Sequence, residues 1–366
     1  MKILAINPGS TSTKLAIYED GKQVWAGGAH HDLNEIAHFH QTIDQYEYRK
    51  EFIVKRLKDE GIAMDFDAVM GRGGLLCPLK GGVYAVNEKM KHDLLHTKHD
   101  HVCNLGAIIA DEIAKEIGCP AFIADPVVVD EFQLKSRVSG VPGIKRESIF
   151  HALNQKAVAR RYAKSIGKKY EELNLIVVHL GGGISVGAHR KGLVIDVNNA
   201  LNGEGPISPD RAGTVPSEAL ATLCFSGKYT LNEVKKMLHG KAGLAAYLGT
   251  SDMITIEEKA IEGKEPYKTL VAAMDYTVAK EIGAMFVALK GQCDAIILTG
   301  GIAYSDYCVS DIKEQIEYLC KVVVLPGENE MESLAENAFG ALTGELPVLT
   351  YTGVSCAEEI PGMAEA

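Results

Sequence analysis

The sequence predicts an α/β protein of two duplicated domains, each a mixed β-sheet flanked by helices, with an active-site cleft between them. Three observations predict it. The pattern strand, small-residue hairpin, strand, tight turn, strand occurs twice, first from Lys2 and again from Leu175. Short β-rich runs alternate with periodic apolar stretches, the signature of mixed sheets covered by helices. The length of 366 residues also exceeds what one core ordinarily supports, since single cores stop growing near about 250–300 residues.

In the first copy, the apolar run Lys2–Asn7 is followed by Pro8-Gly9-Ser10-Thr11-Ser12-Thr13, then Lys14–Glu19, a turn at Asp20-Gly21, and Lys22–Gly27. In the second, Leu175–Leu180 leads through Gly181-Gly182-Gly183 into Ile184–His189, a turn at Arg190-Lys191-Gly192, and Leu193–Asn198. Apolar periodicity predicts helices at Leu105–Ile117, Gln155–Ile166, Tyr267–Leu289 and Met331–Thr343. Ala68–Met70, Ala121–Ile123, Ala295–Leu298 and Lys321–Leu325 read as strands between them. The expected domains are 1–128 with 333–366, completed by the last helix, and 129–332, the nucleotide-binding one.

Composition narrows the function. Hydrophobic residues make up 46% and charged residues 23%, and the net charge is −10 with no basic run to offset it. That balance argues against nucleic acid as a partner. No stretch approaches the ~18 uninterrupted apolar residues of a membrane helix, and Met1 runs directly into a strand rather than a signal peptide. The expectation is a cytoplasmic protein with small-molecule partners. Eight cysteines contain no C-x-x-C pair and read as reduced, buried side chains. His92, His96, His99 and His101 lack the repeated ligand pair that closes a tetrahedral zinc site, and read as a solvated helix end.

Three turns could handle phosphate. Asn7, Ser10, Ser12 and Lys14 flank the first, where small residues let N–H groups, hydroxyls and a charge approach phosphate oxygens; a Ser/Thr-rich hairpin is the competing reading. The second, from His179 through Gly181, Gly182 and Gly183, resembles a dinucleotide fingerprint. Ile184 and Val186, however, continue it into a strand rather than the helix which that motif opens. No G-x-x-x-x-G-K-S/T loop is present, which excludes a P-loop kinase. The third is the strand Ile296–Leu298 ending in Thr299-Gly300-Gly301, where glycine lets a nucleotide lie against backbone. In this order the turns favour a bipartite nucleotide site.

With these turns stand Gly71-Arg72-Gly73-Gly74, Ser148-Ile149-Phe150-His151-Ala152-Leu153-Asn154 and Ser208-Pro209-Asp210-Arg211-Ala212-Gly213. Together they make the chain resemble the acetate and butyrate kinase family, of actin-like (ribonuclease H-like) fold, over residues 2 to about 343. Acetate kinases usually carry Asn-Ala-Gly-Ser-Ser-Ser at the first turn and Gly-Asn-Gly at the second. The sequences Asn-Pro-Gly-Ser-Thr-Ser and Gly-Gly-Gly here favour the butyrate side of the family. The resemblance implies ATP-dependent phosphorylation of a short-chain fatty acid to its acyl phosphate, Mg²⁺ as cofactor, and a homodimer or higher homo-oligomer.

A carboxylic acid is already ionised at neutral pH, so the acceptor needs no general base. The obstacle is repulsion between two anions, and the catalyst must supply position and positive charge. By resemblance, Arg72 and Arg211 hold the carboxylate and stabilise the transferring phosphoryl, His151 donates a hydrogen bond to it, and His179 contacts phosphate. On the residues alone, either arginine is equally an ordinary surface charge, and a lone histidine at a helix start such as His151 is more often a satisfied core histidine. Asp125 matches the family's central aspartate and Glu330 its metal-associated glutamate. Glu328 competes with Glu330, Asp125 is also a plain strand-end turn signal, and acids at a helix start favour the dipole without a metal. His101, Asn104 and Phe150 border the expected acid pocket. Two alternatives stand: a sugar or polyol kinase using Asp125 as base, and a non-catalytic nucleotide-binding module.

Overall fold

The computed structural model describes residues 1–97 and 101–360, so His99 of the histidine run lies outside the described residues. The chain opens with β1 (Lys2–Pro8), β2 (Ser12–Glu19) and β3 (Lys22–His30), then the one-turn α1 (Leu33–Ile36) and α2 (Tyr46–Asp59). β4 (Ala68–Arg72), β5 (Val83–Ala85), α3 (Glu88–Leu95), α4 (Leu105–Ile117) and β6 (Ala121–Ala124) follow. α5 (Ala152–Ser165) leads into β7 (Asn174–Leu180), β8 (Ile184–Arg190) and β9 (Leu193–Val197). The helices α6 (Ser217–Cys224), α7 (Leu231–Leu238), α8 (Gly243–Leu248), α9 (Met253–Ile261) and α10 (Tyr267–Ala288) precede β10 (Ala295–Thr299). α11 (Asp306–Ile316), β11 (Val322–Val324), α12 (Glu330–Thr343) and β12 (Val348–Thr350) complete it.

Two compact units result, Met1–Asp130 with Asn329–Ala357, and Glu131–Glu328. The first holds a seven-stranded sheet ordered β12-β5-β6-β4-β1-β2-β3, the second a five-stranded sheet ordered β11-β10-β7-β8-β9. In both, the first three strands form an antiparallel meander and two later strands, β4 then β6 or β10 then β11, add in parallel on the far side of the first. The duplication expected from the two βββ starts is thus a duplication of topology. Compared with the sequence expectation, β5 and β12 are additions to the first sheet, each only three residues long.

Alternation along the strands explains how helices cover both faces. Leu15 and Ile17 of β2 enter a core with Ile53 and Leu57 of α2 and Leu105, Ile109 and Ile113 of α4. Ala16 and Tyr18, between and beyond them, face Met331, Ala335 and Phe339 of α12. In the second unit, Ile176 and Val178 pack with α10 and α11, whereas Leu175 and Val177 meet Val158, Ala159 and Tyr162 of α5. A strand buried on both faces reads as a continuous apolar run, as Lys2–Asn7 and Leu175–Leu180 do. No helix among the described residues is long and apolar enough to cross a membrane.

Candidate functional site

The first unit gathers one set of expected residues at the ends of β1, β4 and β6. Asn7 on β1 pairs with Lys14 on β2, and opposed residues of antiparallel strands share a face. Asn7 is buried, whereas Ser10 and Lys14 are exposed and Ser12 is partly so. The Gly9 N–H donates to the Ser12 carbonyl at 2.7 Å and closes the turn. Beneath it lies Arg49 of α2, fully buried, donating to the carbonyls of Gly9 (2.8 Å) and Ser10 (3.0 Å) and to the Gln45 side chain. Among the described residues no carboxylate pairs with it, and burial lowers its pKa. The neighbouring His31 is held at Nε2 by the Thr13 hydroxyl (2.9 Å); burial and then the charge of Arg49 push its pKa down to about 4.

Arg72, the last residue of β4, reaches Asn7 Oδ1 at 3.3 Å and Glu330 at 3.2 and 3.3 Å from Nη1. The Asn7 amide donates to Glu330 Oε2 at 2.5 Å and closes the triangle. Glu330 opens α12 directly after Asn329, whose φ is +44°. Asp125 follows β6 with a φ of +38° and accepts the Gly82 N–H at 2.8 Å. Backbone in this left-handed region costs energy for a non-glycine residue and persists only where its surroundings enforce it. The two candidate metal carboxylates therefore sit at or just after such corners. Glu328, by contrast, is exposed and belongs to the other unit. Asn104 is buried and accepts the Leu75 N–H at 2.8 Å, so its side chain shapes the loop after Arg72. His101 caps a short turn through Nδ1, and Phe150 is buried. His92 and His96 stack at 4.3 Å on the exposed end of α3.

The second unit holds the other set. Arg211 has no hydrogen bond from its guanidinium to any described residue, and its nearest acid, Asp210, is 4.0 Å from Nε. A Cβ on Gly183 would lie 1.7 Å from Arg211 Nη1, so the arginine holds this position only across a glycine. The Ser208 hydroxyl fastens the Arg211 loop to the glycine turn by donating to the Gly182 carbonyl at 2.6 Å. His151 and His179 stack with centroids 3.8 Å apart and planes 12° from parallel. His151 Nδ1 lies 2.9 Å from Ser185 Oγ, and His179 Nδ1 lies 2.8 Å from Asn154 Oδ1. Gly300, at φ +91°, exchanges backbone hydrogen bonds with Gly327, and Gly301 beside it is exposed.

Sequence reading missed Arg49, Asn154, Gln155 and Ser185. Arg49 carried a usable signal, because it falls four residues before Ile53 and eight before Leu57 on the buried stripe of α2.

Two such duplicated mixed sheets flanked by helices define a protein of the actin-like class, and solved structures agree on the fold. The acetate kinase of Porphyromonas gingivalis superposes with a TM-score of 0.77 at 20% identity, covering 93% of this chain and 99% of that one. The acetokinase family model matches residues 130–339. A probable butyrate kinase of Phocaeicola vulgatus is 66% identical over 96% of this chain and 99% of its own length. Butyrate kinase 1 of Clostridium acetobutylicum is 52% identical over 96% and 99%. The chain belongs to the acetokinase family, and its activity is that of a kinase with a carboxyl group as acceptor.

Proposed function

We propose that the chain transfers the γ-phosphoryl of ATP to a short-chain fatty acid, butyrate or a branched relative such as isobutyrate. The reaction is reversible, and its use is to make ATP from the acyl phosphate in the cytoplasm. The observation that carries the substrate is the identity of 52–66% to proteins named butyrate kinase over nearly their whole length.

The residues support a direct in-line transfer. The acid arrives as its carboxylate, so no base is assigned. Arg211, its guanidinium uncommitted, and Arg72, preset by Asn7 and Glu330, supply the charge that lets one anion approach another. His151 donates to the transferring phosphoryl. The turns at Ser10, Ser12 and Lys14 and at Gly181–Gly183 hold phosphates, Gly300 and Gly301 the nucleoside, and His101, Asn104 and Phe150 border the acid. Asp125 and Glu330 offer the one or two hard oxygen donors that Mg²⁺ takes from a protein when water and phosphate complete its shell. Bound there, Mg²⁺ would neutralise phosphate charge. We assign the metal to Glu330 rather than Glu328, because Glu330 contacts both Arg72 and Asn7. The assignment of domains stays 1–128 with 333–366, completed by the last helix, and 129–332 as the nucleotide-binding one, and the assembly is assigned as at least a homodimer.

The test is an ADP-release assay over linear and branched acids of two to five carbons, with a sugar panel beside it. We expect kcat/KM to peak at four carbons and to change about fourfold per methylene, the equivalent of about 0.8 kcal/mol. Sugar turnover without acid turnover overturns the reading.

A further inference from the structure

We propose that Gln155 and Ser185 form a one-way hydrogen-bond relay that holds His151 neutral, with its proton on Nε2. The two are positioning residues for the transfer step. The inference rests on the reading above for the task of His151, and on the structure alone for its tautomer.

The polarity of the relay follows from one fixed acceptor. Gln155 Nε2 lies 3.0 Å from the main-chain carbonyl of Ser185, which can only accept, so the amide NH₂ must face that way. The same NH₂ lies 2.8 Å from Ser185 Oγ and donates to it. Having accepted there, the Ser185 hydroxyl spends its own proton on His151 Nδ1 at 2.9 Å. An Nδ1 that accepts leaves the ring's proton on Nε2, which makes that nitrogen a donor.

The far side of Gln155 agrees. Its Oε1 lies 2.9 Å from His189 Nε2 and must receive a proton from it. His189 is fully buried, and burial lowers its pKa well below the usual value, so it is neutral and its Nδ1 accepts from the Tyr170 hydroxyl at 2.6 Å. Every group from Tyr170 to His151 thus donates in one direction. Ser185, Gln155 and His189 are wholly buried, where an unmatched polar group is costly. Gly187 is part of the same construction. A Cβ on it would lie 2.4 Å from Gln155 Oε1 and 3.0 Å from His189 Nε2. This is a packing reason for a glycine inside β8.

The stacked partner is set the other way by the same logic. Asn154 Nδ2 donates to the Glu328 carbonyl at 2.7 Å, so Asn154 Oδ1 faces His179 and Nδ1 of that ring carries a proton. Two parallel imidazoles 3.8 Å apart therefore present unlike Nδ1 atoms, one accepting and one donating.

Long-range ¹H–¹⁵N correlation spectra of the labelled full-length protein read each ring nitrogen directly. Loss of signals in His151→Gln and His179→Gln identifies the two rings. At neutral pH, His151 Nδ1 is expected unprotonated and His179 Nδ1 protonated; a protonated His151 Nδ1 overturns the relay whatever the substrate. In kinetics, Gln155→Met and Ser185→Ala are expected to lower kcat by roughly tenfold or more with both KM values within twofold. Tyr170→Phe, at the distant end, is expected to cost less. Should one variant fail to fold, the other gives the same reading; a folded variant with wild-type kcat overturns it. Wild-type protein showing these tautomers but no turnover of any acid defeats the substrate assignment and leaves the relay standing.

Discussion

Arg211 and Gly183 form a unit at the scale of single residues. The arginine makes no hydrogen bond to any described residue through its guanidinium, and it crosses the turn where a side chain on the glycine would sit. Replacing Arg211 with Ala is expected to lower kcat/KM about 10³-fold, the scale seen for arginines that meet a transferring phosphoryl. Nucleotide affinity, measured by calorimetry, should change less than threefold. Arg211→Lys should recover only part, because an ammonium lacks the planar fork. Gly183→Ala should reproduce the loss by displacing the side chain, and wild-type turnover in that variant would remove the proposed role. Arg72 differs, being already engaged with Asn7 and Glu330. Its partners were invisible in the sequence, since 258 residues separate Arg72 from Glu330 and only the fold brings them together. The glycines beside the arginines were legible, but not their purpose.

At the scale of elements, the approach of α4 to β4 sets where Arg72 ends. A Cβ on Gly71 would lie 2.2 Å from the Gly106 carbonyl, and one on Gly106 would lie 2.2 Å from the Arg72 carbonyl. Both are main-chain contacts, which cannot swing aside. Gly106→Ala is therefore expected to destabilise by about 1–3 kcal/mol, the cost of overpacking, in urea unfolding, and to lower kcat by moving Arg72. Unchanged stability would show that the helix can slide at no cost. Strands buried on both faces and α4 were readable in the sequence because their apolar patterns are unbroken. α2 was missed because its buried stripe, Arg49, Ile53 and Leu57, is narrow and set among charged neighbours, although its spacing of four was there to be read. β5 and β12 have three residues each, too few to show a period. The relay through Gln155 was beyond reach for another reason. It joins α5 to β8 across 30 residues, and its chemistry depends on which amide atom faces a carbonyl.

For the whole molecule, buried ionisable groups shape the response to pH. Asp275 of α10 is fully buried; burial, then the charge of Asp311, push its pKa up to about 8. Its folded pKa lies above the unfolded one, so below about pH 4 both states hold the proton and nothing is lost. As pH rises, the unfolded state ionises first, and stability falls until the folded carboxyl also ionises near pH 8. His31 opposes this only below its ordinary pKa of about 6.5, where the unfolded state gains protons that the folded state refuses. Between roughly pH 6.5 and 8 the aspartate acts without that opposition. Asp275→Asn should therefore raise Tm more at pH 8 than at pH 5, and an equal gain at both would refute the assignment.

Arg49 has a consequence for binding in salt water. The molecule carries a net charge of −10, so long-range steering of a phosphate towards it is unfavourable. At the proposed phosphate turn, the cation beneath it would act at close range instead. Because it is enclosed by protein and paired with carbonyl dipoles rather than a carboxylate, mobile ions screen it poorly. Its influence on an anion seated at that turn thus persists at ionic strengths that erase surface charge.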